Sequence, residues 1–141
     1  MADNYLEFSE IIDNLTTKEA AWLDRQLDTD AKAGCPVFLV DYPDRDPYDT
    51  GCGFAYSFEE YGNQRCLWIS SAEGNNVDCA AHLVKKFLKR FRPDQCWSLT
   101  YAESCSKLRA GEFGGGAVFV TADEINHLNT YEFVYKLQEA F

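Results

Sequence analysis

Apolar and polar positions along this chain change period several times, and each change predicts an element. Met1 to Leu15 is acidic, with Ser9 to Asn14 reading as a turn of helix. Thr16-Thr17-Lys18-Glu19 then has the S/T-x-x-E form of a capping box. Ala20, Leu23 and Leu27 recur on one face, with Trp22 and Ala31 beside it, which predicts a helix from Thr17 to about Asp30. Gly34 and Pro36 end it. Val37-Phe38-Leu39-Val40 is apolar and rich in strand formers, the pattern of a central strand buried on both faces. Asp41 to Gly51 holds two Pro and four Asp and reads as an exposed loop.

The period then shortens to two. Phe54, Tyr56 and Phe58 alternate with smaller or polar residues, Gly62-Asn63 is a two-residue turn, and Arg65 to Ser71 returns. That loop length sets Tyr61 opposite Gln64, Glu60 opposite Arg65, Phe58 opposite Leu67 and Tyr56 opposite Ile69. Ser57 then faces Trp68 and Glu59 faces Cys66. A slip of one residue would lose the match of apolar with apolar and acid with base. Asn75 or Asn76 is placed to cap a second helix, whose apolar stripe runs Val77, Ala80, Ala81, Val84, Phe87, Leu88 and Phe91 until Pro93 ends it. Trp97, Leu99 and Tyr101 alternate as a strand, Ser104 to Gly116 is turn-like, and Ala117 to Val120 is a further strand. Thr121-Ala122-Asp123-Glu124 repeats the S/T-x-x-E signature and predicts a short helix. A last helix from about Thr130 is expected to bury Phe133, Val134, Leu137 and Phe141. The order α-β-β-β-α-β-β-α predicts an α+β two-layer fold, a mostly antiparallel sheet of about five strands with helices on one face.

At 141 residues the chain is expected to be a single globular domain over 1–141, large enough to fold without a staple. Aromatic residues make up 15% of it, enough to fill a core and line an interface as well. The six cysteines come without a signal-peptide pattern, so reduced thiols and a cytoplasmic location are expected. No apolar run is long enough to span a bilayer.

Charge changes the picture most. The net charge is −10, yet Lys85, Lys86, Lys89, Arg90 and Arg92 fall within eight positions that hold no acid, and the rest of the chain carries −15 without them. These cations follow the solvent face of an amphipathic helix, and the surrounding charge opposes a polyanion, so direct nucleic-acid binding is not expected. A partner with a basic surface is.

The densest chemistry lies from Ser104 to Gly116, where Cys105, Lys107, Arg109 and Glu112 precede Gly114-Gly115-Gly116. Consecutive glycines let backbone N–H groups approach an anion, and nearby cations lower a thiol pKa. The competing reading is a hairpin connection whose glycines allow tight packing, and it is favoured because a glycine run alone is a weak signal. The run is neither a P-loop nor a dinucleotide fingerprint. Cys79 and His82 are three apart on one helix face, but no Cys-x-x-Cys accompanies them, and no metal site is predicted. A Cys–His nucleophile would need Cys105 near His127 or His82. Asp41, Asp44, Asp46 and Asp49 fail the EF-hand pattern; the favoured reading is a solvated connection, and the alternative is a loop that presents spaced carboxylates to a basic protein.

Cys96-Trp97-Ser98-Leu99-Thr100-Tyr101-Ala102-Glu103-Ser104-Cys105-Ser106-Lys107, continued by Glu112-Phe113-Gly114-Gly115-Gly116-Ala117, resembles a segment recurring in small uncharacterised bacterial proteins. The resemblance covers about the last third of the chain and implies no activity and no catalytic residues. The expected function is therefore that of a non-enzymatic acidic interaction or regulatory protein without cofactor. One concrete form is a mobile-element inhibitor that docks on the basic nucleic-acid-binding surface of a defence complex. The alternative is a small-ligand or anion-binding protein, or an enzyme, using Cys105 to Gly116.

Overall fold

The structure, a computed structural model, describes residues 3–43, 51–71 and 77–141. It is an α+β fold built on a six-stranded antiparallel sheet, one strand more than expected. The extra central strand comes from the N-terminus: β1 (Asn4–Ile12) is extended where a helical turn was expected around Ser9. Its residues alternate, with Phe8 and Ile12 buried and Ser9 and Ile11 exposed, a period of two that places one face on the core.

Helix α1 (Thr17–Leu27) starts at the expected capping box: Thr16 Oγ1 accepts from the Glu19 amide at 3.1 Å, and Glu19 Oε1 accepts from the Thr16 amide at 2.8 Å. It ends earlier than expected, because Asp28 is already extended and a short hairpin follows, β2 (Thr29–Asp30) and β3 (Cys35–Pro36). Val37 to Val40 is not a central strand. Val37–Leu39 forms a single 3₁₀ turn that drives Phe38 and Leu39 into the core. A short apolar run satisfies either geometry, and here Pro36, which lacks an amide for a ladder, directs it into the turn.

Strands β4 (Ala55–Tyr61) and β5 (Gln64–Ser71) pair in the register read from the sequence, with Phe58 opposite Leu67 and Glu60 opposite Arg65. Helix α2 (Asp78–Phe91) buries Ala80, Ala81, Leu83, Val84, Phe87 and Leu88, and ends before Pro93. The asparagines expected to cap it, Asn75 and Asn76, lie outside the described residues. Strand β6 (Trp97–Cys105) runs four residues past Tyr101, and β7 (Gly114–Val120) begins at the glycines, so the expected turn from Ser104 to Gly116 shrinks to residues 106–113.

The second S/T-x-x-E signature does not start a helix. Thr121 Oγ1 accepts from the Asp123 and Glu124 amides at 3.3 and 3.1 Å, closing a local turn into strand β8 (Ile125–Asn129). A threonine that caps a turn offers the backbone an alternative to helix, and no apolar stripe follows it here. The sheet order is β4-β5-β1-β6-β7-β8. Leu67, Ile69, Leu99, Val118 and Val120 line its inner face and form one core with Leu23 of α1 and Leu83 and Phe87 of α2.

Helix α3 (Thr130–Ala140) forms where expected but buries none of its residues. Phe133, Val134 and Leu137, expected in the core, are 55%, 50% and 58% exposed, and Phe141 is fully exposed. Helices α1 and α2 already occupy the inner face of the sheet, on the side where the root of α3 lies. No helix among the described residues is long and apolar enough to cross a membrane.

Candidate functional site

The Cys105 to Gly116 segment is distributed over two strands and their connection. Cys105 ends β6, is buried, and pairs across the ladder with Asn4. Residue Asp3 closes over it: the Ser106 amide donates to the Asp3 carbonyl at 2.8 Å, and the Asp3 amide donates to Ser106 Oγ at 2.8 Å. Lys107 and Arg109 are exposed, and Arg109 reaches Glu112 at 3.8 Å. Gly114, Gly115 and Gly116 sit inside β7, all three paired with β6 and Gly116 also with β8, and the Gly115 amide donates to Thr130 Oγ1 at 3.1 Å.

The glycines make room for neighbours. A Cβ on Gly115 would lie 2.6 Å from the Tyr101 carbonyl oxygen, and one on Gly114 would lie 2.7 Å from the Tyr131 ring. Strand geometry thus uses the backbone that an anion cradle would need. The nearby recess, about 310 Å³, is lined by Leu6, Glu103, Ser104, Glu112 and Tyr131. Its carboxylates are opposite in sign to what an anion site requires. Glu112 Oε2 is buried there with no hydrogen-bond partner among the described residues.

Cys105 is not close to His127. His127 pairs with Val118, and Val118 with Leu99, so the imidazole sits six residues up β6 from the thiol, about 20 Å along the strand. His127 instead faces Asp78 at the start of α2, at 3.6 Å.

His82 lies elsewhere, in a small polar cluster beside α2. Asp41 accepts from Lys86 Nζ at 2.6 Å and lies 3.4 Å from His82 Nε2, while the Tyr42 ring meets the imidazole edge-on. The Lys86 hydrogen bond holds the Asp41 carboxyl below its ordinary value, against the opposing effect of burial. Burial pushes the His82 imidazole down, helped by the Lys86 charge and opposed by Asp41. Asp41 is therefore engaged within the chain. Asp44, Asp46 and Asp49, its companions in the expected acidic docking loop, lie outside the described residues. Among the described residues no group of three or more His, Cys, Asp or Glu could hold a metal ion.

Two of the five clustered cations are also committed internally. Lys86 binds Asp41 and the Phe38 carbonyl. Arg92 is a strut: Nε donates to Glu19 at 2.9 Å, Nη2 donates to the Asp13 and Asn14 carbonyls at 2.8 and 3.0 Å, and the guanidinium covers the Phe87 ring. Burial raises the Glu19 carboxyl, but Arg92 and the Thr16 amide outweigh it and hold the group below its ordinary value.

A patch not expected from the sequence lies at the sheet edge. Tyr56, in edge strand β4, keeps nearly half its surface open, and its hydroxyl is raised by burial and, to a smaller extent, by the carboxylates of Asp24 and Asp28. Asp24 on α1 and Asp28 at its C-cap are exposed, four residues apart in sequence, and form no ion pair among the described residues. Asp28 is the extended C-cap of α1, where the helix dipole disfavours an anion. That spacing was readable in the sequence; the proximity of Tyr56 was not, because it depends on how β4 meets α1.

No family model matches the chain, and no curated protein matches it in sequence. Among solved structures, it is similar to LarC2, the C-terminal domain of a cyclometallase involved in the synthesis of the NPN cofactor of lactate racemase, in its apo form. The identity is 14%, over 100% of this chain and 88% of that one, with a TM-score of 0.31. A likeness of that size carries no argument about function.

Proposed function

We propose that this is an acidic interaction protein that works by docking on a basic surface of a partner protein. The observation that carries the reading is the edge patch: an open tyrosine ring that feels the charges of Asp24 and Asp28, two exposed carboxylates without an ion pair among the described residues, one of them at the C-terminal end of α1 where the dipole disfavours it. Tyrosine supplies contact area at low entropic cost, and carboxylates steer a basic partner. An inhibitor that occupies a nucleic-acid channel is one form such a protein takes. The test is affinity capture from the native host with the wild-type chain and with Asp24→Lys/Asp28→Lys. A specific partner that is held by the wild type, released by salt and lost with the variant supports the reading. Identical capture by both chains removes it.

The second reading, a ligand or anion site or an enzyme at Cys105 to Gly116, rests on the recess beside Glu112, whose buried oxygen has no hydrogen-bond partner among the described residues. It requires Cys105 to react with iodoacetamide well below the pH of an ordinary thiol. An ordinary profile, with no effect of phosphate or nucleotide on melting, removes it.

A further inference from the structure

Two apolar surfaces lack a partner among the described residues, and they are complementary in kind. The first is α3. Phe133, Val134, Leu137 and Phe141 fall within about 100° of its circumference, and Glu132, Lys136 and Glu139 occupy the opposite side. An isolated helix shorter than about 12–15 residues is marginal in water, so this 11-residue helix needs a cover for its apolar side. The second surface is the outer face of the sheet, which no helix among the described residues packs against. There Ile11, Trp68, Phe119 and Leu128 are between 41% and 54% exposed. Ile11 is the cross-strand partner of Trp68, and Leu128 that of Ala117. Small side chains share this face on β6, with Ser98 opposite Phe119, Thr100 opposite Ala117 and the exposed Ala102 opposite Gly115.

Helix α3 cannot reach the outer face of its own sheet. It follows β8 without an intervening residue, and Asn129 Oδ1 caps it by accepting from the Tyr131 and Glu132 amides at 2.9 and 3.3 Å. Tyr131 lies over Gly114, on the inner side, and its hydroxyl donates to the Phe113 carbonyl with the Gly111 carbonyl 3.1 Å away. The root of the helix is thereby fixed on the wrong side of the sheet.

We infer that α3 packs on the outer sheet face of a second copy of this chain, and that the two copies exchange helices about a two-fold axis. This inference is independent of the Tyr56 patch. Area favours exchange over a contact between two α3 helices alone. Each helix or sheet surface offers about 500 Å², so two helices against each other bury about 1,000 Å², below the standard range, whereas reciprocal exchange buries about 2,000 Å². Exchange also turns a two-layer fold with an apolar open face into one whose sheet is covered on both sides.

The test is the solution mass of the full chain by light scattering and sedimentation. The wild type is expected at twice the 16.0 kDa chain mass. Because each copy carries −10, the dimer should tighten as salt rises, the reverse of a complex with a basic partner. Leu137→Asp on the helix and Phe119→Asp on the sheet should each give the single-chain mass. A wild type that stays at the single-chain mass at all concentrations and salts overturns the inference. So does a Phe119→Asp chain that still dimerises, or a mass that climbs steadily beyond two copies. Should a substituted chain fail to fold, hydrogen exchange on the wild type decides. Protection of α3 amides must rise with protein concentration, and a constant rate overturns exchange.

Discussion

Helices α2 and α3 carry the same kind of pattern and meet opposite fates. Both place aromatic and aliphatic residues on one side and charges on the other. In α2 that side is the core, with Phe87 wholly buried between the sheet and Trp22. In α3 every large apolar side chain is open. Hydrophobic period fixes that a helix has an apolar face; which chain covers the face is decided by the layers already in place.

The comparison breaks most sharply at two phenylalanines. Phe87→Ala should cost about 3–5 kcal/mol, the transfer term plus an unfilled cavity. Phe133→Ala, measured where the chain is dilute enough to be single, should cost under about 0.5 kcal/mol, as for a surface position. Denaturant melts of the two variants check this. Similar losses would mean that α3 packs on its own body after all.

Arg92 is the next largest lever, because it ties the end of α2 to the start of α1. Arg92→Ala leaves the Glu19 carboxylate, 7% exposed, without its counter-charge, and should cost about 3 kcal/mol. Arg92→Ala combined with Glu19→Gln should cost less than Arg92→Ala alone, since no buried charge is then stranded. The pH dependence follows from the same pair. The Glu19 carboxyl titrates lower in the folded chain than in the unfolded one. Its contribution is present above the unfolded value and disappears as pH falls through the folded value. A melt series from neutral to acid should steepen in that window for the wild type and flatten there for Glu19→Gln. Nothing in α3 has a counterpart to this strut, so α3 variants should leave the acid limb unchanged.

How much of this was legible depended on whether local chemistry had one solution. The capping box at Thr16 and the hairpin around Gly62-Asn63 did, since a two-residue loop and a reciprocal cap each admit one geometry, and both were read correctly. Val37 to Val40 had two, strand or turn, and Thr121 to Glu124 had two, helix cap or local turn; the neighbours Pro36 and β8 chose between them. β1 was missed because its alternation is diluted by Glu7 and Glu10 and by the half-open Leu6. Of the candidate site residues, Asp41 was visible as an acid, but its capture by Lys86 and His82 depends on a contact between residues more than forty positions apart. Gly114 to Gly116 were read as a packed connection in preference to a cradle and lie in the strand itself, since sequence does not show that the neighbour they admit is a tyrosine ring.

A glycine in that strand gives a smaller effect on the α3 side. A Cβ on Gly116 would collide with the Leu128 carbonyl oxygen and stand 2.6 Å from the Tyr101 hydroxyl. Gly116→Ala should therefore separate β7 from β8 at the root of α3 and cost about 1–3 kcal/mol. Amide exchange should quicken in β8 and α3 while α2 keeps its protection. Faster exchange spread evenly over both helices would show that the two regions are one cooperative unit.

The smallest expected effect lies at the edge of α2. Asp41 is mostly solvent-exposed, so Asp41→Asn should change stability by under about 1 kcal/mol despite the 2.6 Å contact with Lys86. Its effect on His82 is the more readable one. Burial depresses the imidazole pKa and Asp41 opposes that depression. Removing the carboxylate should move the titration further down, which an NMR pH series on the ring protons would record. The folded chain holds His82 neutral below the pH at which a free histidine takes up its proton, so stability falls as pH drops through that interval. Asp41→Asn should widen the interval downward. An imidazole that instead titrates higher in Asp41→Asn would mean that the ring leaves its contact with Tyr42 and returns to water.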